Sequence, residues 1–221
     1  MENALIIGAS GGIGSALTQA LTAKGTRVTT LSRRDDGLDV TDEASVAHHL
    51  SRLDGPFDLI LTTTGALEID GAEPEKTLKQ LDPKALQNQF ALNAMGPALV
   101  LKHSLPLIPR DRPAIFAALS ARVGSIGDNR LGGWYSYRTA KAALNQLIHS
   151  AAIELARSHR HLACVCLHPG TVETPFTAKF ASRHPTVPAP EAAQNLLRVL
   201  HGLTPADTGK FFDWQGHEVP W

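Results

Sequence analysis

Cysteine is scarce in this chain of 221 residues, and the two present, Cys164 and Cys166, alternate along an apolar run from Leu162 to Leu167. Side chains two apart on a strand share a face. The pair therefore reads as buried thiols of a reducing cytosol, with neither a disulfide framework nor a metal site in view. A surplus of one charge is lacking too: 21 basic residues balance 21 acidic ones, with an isoelectric point of about 7.2. Nothing in that balance points to nucleic acid or an anionic membrane as partner. No apolar stretch approaches the length of a membrane span. Met1-Glu2-Asn3 provides no basic region ahead of its short, glycine-broken apolar run, so no signal peptide is expected and a cytoplasmic location is. Histidine is not rare, but His48-His49 and His159 with His161 lie in polar segments and read as solvated surface. No metal is expected.

What the chain does have is a regular alternation of strand-like and helix-like segments, without internal repeats, over a length that suits one domain from 1 to 221. Strands are predicted near 3–8, 27–32, 38–40, 58–64, 113–119, 162–168 and 209–213. Helices are predicted near 12–24, 42–53, 83–105, 137–158 and 190–201. Strands apolar on both faces argue a parallel sheet covered by helices on both sides. Right-handed crossovers then produce a doubly wound α/β/α architecture of about seven strands, the Rossmann fold, with ligands at the carboxyl ends of the strands. The stretch from Thr171 to Pro190 interrupts the rhythm with Pro175, Pro185, Pro188 and Pro190, and a short substrate lid near 171–190 is expected.

Two features carry chemistry. In Ala4-Leu5-Ile6-Ile7-Gly8-Ala9-Ser10-Gly11-Gly12-Ile13-Gly14 an apolar strand enters a glycine turn and leaves it as a helix. Gly8 permits the turn, Gly12 lets a pyrophosphate approach the backbone, and Gly14 lets helix and strand pack. The helix N–H groups, Ile13 among them, then face the phosphates, assisted by the helix dipole. Far downstream, Tyr137 and Lys141 stand at i and i+4 on a predicted helix, one turn apart on one face. A neighbouring cation favours phenolate, so the Tyr137 pKa is expected to fall from its ordinary value near 10. A phenol so tuned exchanges a proton with a carbonyl or an alcohol.

Together with Asp39-Val40, Thr64-Gly65, Asn93, Ser120 and Pro169-Gly170, taken in order, these motifs resemble the short-chain dehydrogenase/reductase family across essentially the whole chain. Leu119 to Asn129 and Phe212 to Trp221 resemble its C-factor-like, sniffer-like branch. The resemblance implies hydride transfer between a nicotinamide and a carbonyl or alcohol carbon, with Tyr137 as general acid/base. Lys141 would also hold the nicotinamide ribose, and Asn93 would position a water for proton relay through Lys141. Asp39 would meet the adenine amine, with Val40 against the ring. Pro169-Gly170, Val172 and Thr174 would contact the nicotinamide amide. Thr64-Gly65 stands where the family usually has Asn-Ala-Gly. A polar donor beside Tyr137 is needed for the substrate oxygen. Ser120 is the expected one and Ser125 the alternative, since the usual spacing to Gly124 falls on Ala121.

The second strand ends in Leu31-Ser32-Arg33-Arg34, with no carboxylate before Asp35. A hydroxyl followed by guanidinium groups suits a 2′-phosphate, so NADP is expected over NAD. Two rival functions share these features. Gly8-Ala9-Ser10-Gly11-Gly12 also fits the Gly-x-Ser-x-Gly nucleophile elbow of a serine hydrolase, with Asp39 and His168 as nominal partners. A C-factor-like signalling or scaffold protein would bind the dinucleotide with little turnover. Apolar residues on the long helices beyond one stripe, with the resemblance, imply a homodimer. The substrate is expected to be a small molecule.

Overall fold

The computed structural model describes residues 1–174 and 186–221. Five strands come first: β1 (Asn3–Ile7), β3 (Leu59–Thr62), β4 (Ala114–Leu119) and β5 (Leu162–His168) from apolar runs, and β2 (Arg27–Leu31) from a half-exposed, β-branched stretch. A two-residue pair follows, β6 (Val172–Glu173) with β7 (Val187–Pro188), and β8 (Phe211–Asp213) closes the main sheet. The six main strands are all parallel, in the order β2-β1-β3-β4-β5-β8.

Parallel strands need crossovers, and the helices supply them on both faces. Alternate residues of each strand serve opposite layers. Ala4, Ile6, Leu59, Leu61, Val165 and Leu167 pack against α1 (Gly12–Ala23) and α7 (Ala189–Gly202). Leu5, Ile60, Phe116, Cys164 and Cys166 pack against α3 (Glu43–Leu50), α5 (Gly96–Ser104) and α6 (Tyr135–Leu155). The short α2 (Arg33–Asp36) and α4 (Pro83–Phe90) complete the set. The chain steps outward from β1 to β2 and then returns across β1 to β3, so a crevice opens at the carboxyl ends of β1 and β3.

Two expectations need correction. Residues 38–40 form no strand, because their polar groups turn inward on the loop: the Asp39 N–H donates to Ser45 Oγ, and the Asp39 carboxylate accepts from Thr41. The predicted helix over 83–105 is interrupted by a π turn at Ala91–Met95 between α4 and α5. Pro97 has no N–H, so the Asn93 carbonyl loses its regular i+4 donor and the coil widens there. The β6–β7 pair was not foreseen, being too short for any periodicity. Of the expected lid at 171–190, residues 175–185, with Pro175 and Pro185, lie outside the described residues.

Candidate active site

The glycine turn is built around close approach. Gly8 adopts φ +88°, and a Cβ on Gly14 would stand 2.4 Å from the Gly8 carbonyl oxygen and 2.9 Å from Ala9 Cα. No side chain fits there, so the first turn of α1 packs directly on the turn that follows β1. Gly11 caps α1 without any side-chain hydrogen bond, leaving its first N–H groups, Ile13 included, for a ligand. Ser10 lies in the same turn. A Cβ on Gly12 would meet only the Thr174 side chain, at 2.6 Å, so Thr174 lies over the turn. Thr64 Oγ1, after β3, is buried with no hydrogen-bond partner among the described residues. An uncapped helix start, a glycine-rich turn and an orphaned hydroxyl fit a dinucleotide diphosphate.

At the end of β2, Ser32 caps α2, accepting from the Asp35 N–H, while its own N–H donates to Asp36. Arg34 pairs with Asp35 at 2.9 Å on an exposed surface. Arg33 lies near enough to Asp39 to help hold that carboxyl below its ordinary range, behind the larger effect of the Thr41 hydrogen bonds. The Val40 side chain is buried and packs on Gly96 of α5.

Tyr137 and Lys141 lie in the first two turns of α6, only 6 % and 3 % exposed. The ammonium sits 5.8 Å from the Tyr137 ring centroid and donates to the Leu119 carbonyl, at the end of β4, at 2.9 Å. The expected fall in the Tyr137 pKa does not occur in this cleft: burial pushes the phenol up, and burial also brings Lys141 down to about 8. Desolvation of the charged forms outweighs the attraction between them. The phenol therefore stays neutral throughout the physiological range.

Asn93, in the π turn, is fully buried. Its Oδ1 accepts from the Ala66 N–H and its Nδ2 donates to the Ala66 carbonyl and to Gln89 Oε1. Gly65, at φ +152°, runs between Asn93 and Lys141: a Cβ there would stand 2.7 Å from Asn93 Oδ1 and 3.6 Å from Lys141 Nζ. The loop after β3, the π turn and α6 thus converge at one point.

Ser120 is buried at the end of β4, but its hydroxyl donates to Asn145 Oδ1 at 2.6 Å, two turns along α6 from Tyr137. Ser125 is engaged elsewhere, donating to the Pro220 carbonyl of the C-terminal tail. After β5, Pro169 leads into Gly170 at φ +79°, where the Trp214 indole lies 3.1 Å from the place of a Cβ, and Val172 is buried. Two polar residues of this neighbourhood escaped the sequence reading. Asn145 and Gln89 each stand one turn from a recognised residue, Lys141 and Asn93. The i, i+4 spacing was the available signal. The nucleophile-elbow partners do not assemble: Asp39 is engaged by Thr41, while His168 Nδ1 is buried without a partner among the described residues. Among the described residues no cluster of histidine, cysteine or carboxylate could hold a metal ion, and no helix is long and apolar enough to cross a membrane.

A crevice with an uncapped glycine turn at one end and a buried phenol beside an ammonium at the other suits a nicotinamide dinucleotide. Such a molecule is an oxidoreductase of the doubly wound class. Within that class the chain belongs to the short-chain dehydrogenase/reductase family: a family model described as enoyl-(acyl carrier protein) reductase matches residues 8–211. The C-signal of Myxococcus xanthus is 36 % identical over 167 residues, covering 76 % of this chain and 94 % of that protein. A 1-hydroxy-2-glutathionyl-2-methyl-3-butene dehydrogenase of Rhodococcus sp. (strain AD45) is 29 % identical over 236 residues, the full length of both. Among solved structures, a short-chain dehydrogenase/reductase of Burkholderia multivorans with bound NADP superposes with a TM-score of 0.80, at 25 % identity over 99 % of each chain.

Proposed function

We propose that this protein is an NADP-dependent oxidoreductase acting on a carbonyl or alcohol group of a small molecule, with Tyr137 as general acid/base. The observation that carries the reading is the convergence of the buried Tyr137–Lys141 pair with Gly65 and Asn93 at the strand ends. The bound nicotinamide supplies or accepts the hydride. The chain does the rest. Gly8, Ser10, Gly12, Ile13 and Gly14 hold the diphosphate, and Thr64 and Gly65 line the crevice beside it. Ser32, Arg33 and Arg34 face the 2′-phosphate, Asp39 and Val40 the adenine, and Pro169, Gly170, Val172 and Thr174 the nicotinamide amide.

In reduction, Tyr137 gives its phenolic proton to the oxygen that becomes the alcohol, and Lys141 stabilises the phenolate left behind. Burial keeps the phenol in the protonated form that the reduction step uses. Asn93 orders the loop at Ala66 and, with Lys141, forms the route by which the proton is replaced. Ser120 turns from Asn145 to the substrate oxygen on binding. The likeness to C-signal supports a second reading, dinucleotide binding for signalling with little turnover. The two free thiols suit a reducing cytosol.

Titration of the protein with NADPH and with NADH, followed by cofactor fluorescence, tests the cofactor assignment. Arg33→Ala is expected to weaken NADPH about tenfold or more, one charge-assisted contact of about 1.5–3 kcal/mol, and to leave NADH unchanged. Equal binding of both cofactors by wild type removes the NADP assignment. Turnover of aldehydes and ketones at 340 nm by wild type and Tyr137→Phe separates enzyme from scaffold. Full turnover without the phenol rules out Tyr137 as the acid.

A further inference from the structure

We propose that Glu75 is a positioning residue for Tyr137, acting through Ser136 as a cap delivered from a distant loop to the start of α6. The proposal rests on the acid/base role of Tyr137. Helix α6 begins badly by its own means. Its capping position is Trp134 at φ 52° and ψ 42°, left-handed backbone that a bulky side chain adopts only under constraint, and no side-chain cap is present. Two positive-φ glycines, Gly132 and Gly133, lead into it. A helix start needs acceptors for its first N–H groups.

Glu75 supplies them. Its carboxylate accepts from the Ser136 N–H at 3.1 Å and from the Ser136 hydroxyl, and its carbonyl accepts from the Trp134 N–H. Both Glu75 and Ser136 are buried, Glu75 at 6 % exposure. A buried carboxylate is costly unless hydrogen-bonded, and here the bonds go to the residue immediately before Tyr137. The negative charge also suits the positive end of the helix dipole.

The same loop is gripped at its other end, where Asn93 bonds Ala66 and Gln89 donates to the Leu67 carbonyl. Residues 66–75 therefore span from Asn93 to the first turn of α6, and a small cavity between them is lined by Glu75, Gln89, Ser136 and Tyr137. Glu75 sets where the phenol stands relative to Asn93 and Lys141. A displacement of about 1 Å at a reacting group costs up to about a hundredfold in rate.

Tyr135 and Tyr137 are the only tyrosines in the chain, which makes 19F NMR of 3-fluorotyrosine-labelled protein a direct reporter. Tyr137→Phe assigns the two resonances. Glu75→Ala is expected to shift or broaden the Tyr137 resonance and to lower kcat for NADPH-dependent reduction of 4-nitrobenzaldehyde about 10- to 100-fold. The NADPH Kd should stay within about twofold. Glu75→Gln, which keeps an acceptor for the Ser136 N–H, should restore the resonance and the rate. Ser136→Ala, which removes only the hydroxyl arm, should show a smaller change of the same kind. A wild-type Tyr137 resonance in Glu75→Ala overturns the proposal, whatever happens to its melting temperature. Glu75→Gln as perturbed as Glu75→Ala overturns it as well. Full turnover by Tyr137→Phe, with the resonance still moved by Glu75→Ala, instead locates the error in the acid/base role and ends the catalytic meaning of the cap.

Discussion

Four residues separate Tyr137 from Lys141, and on a helix that spacing brings the phenol and the ammonium to one face. Proximity alone favours the charged pair; burial opposes both charges, and in this cleft burial prevails. The lysine bears a cost in stability that has a sign. Its pKa in the folded protein, about 8, lies below the ordinary 10.5. Between those values the unfolded chain binds more protons, so stability rises with pH across that window, and below about 8 the full penalty applies. The penalty is about 3 kcal/mol, and a variant without the ammonium gives back part of it by leaving the Leu119 carbonyl without its donor, about 1–3 kcal/mol. Lys141→Met is therefore expected to be as stable as wild type or up to about 2 kcal/mol more stable at pH 7. That advantage should shrink toward pH 10, while turnover is lost. Urea denaturation at the two pH values measures it. A gain that grows with pH would contradict the assignment.

The same contest between local pattern and surroundings decides the elements. In the turn from β1 into α1, local sequence and packing agree. A Cβ on Gly14 would strike two backbone groups, Gly8 O and Ala9 Cα, whereas one on Gly12 would meet only the movable Thr174 side chain. Gly14→Ala is expected to cost about 1–3 kcal/mol in a urea melt and to abolish NADPH binding. Gly12→Ala should leave stability within about 0.5 kcal/mol and weaken NADPH alone, because only the approach of the phosphates is obstructed. Similar melts for the two variants would show that the turn relaxes around Gly14. Elsewhere local pattern misleads. Leu38-Asp39-Val40 reads as a strand from its two apolar residues, yet those side chains go into the core while Ser45 and Thr41 take the backbone and carboxylate bonds. Apolar periodicity runs through 83–105 without a break, and only Gly96-Pro97 hinted at the π turn that carries Asn93.

At the scale of the molecule, burial of the sheet leaves apolar surface on the helices that cover it. Phe90 on α4 and Leu147 and Ile153 on α6 are exposed, and α4 and α6 pack side by side. We propose that the exposed apolar surface of α4 and α6 joins two copies, so light scattering should return twice the chain mass of 23.6 kDa. The mass of a single chain at micromolar concentration would sink the homodimer.

Much of this protein was determined by its sequence alone. Apolar runs bounded by glycine and proline specify β1, β3, β4 and β5, which are buried on both faces, while β2 is a half-exposed edge strand read from its β-branched residues. The glycine turn and the Tyr137–Lys141 spacing are local patterns that a strand-to-helix turn and a helix carry wherever they sit. What only the tertiary structure decided are the contacts made across long stretches of chain. The hydroxyl of Ser120 turns to Asn145, Ser125 is taken by the C-terminal tail, and the loop carboxylate of Glu75 begins α6. Protonation belongs to the same class, because desolvation depends on everything packed around a group, and no spacing along a chain encodes that.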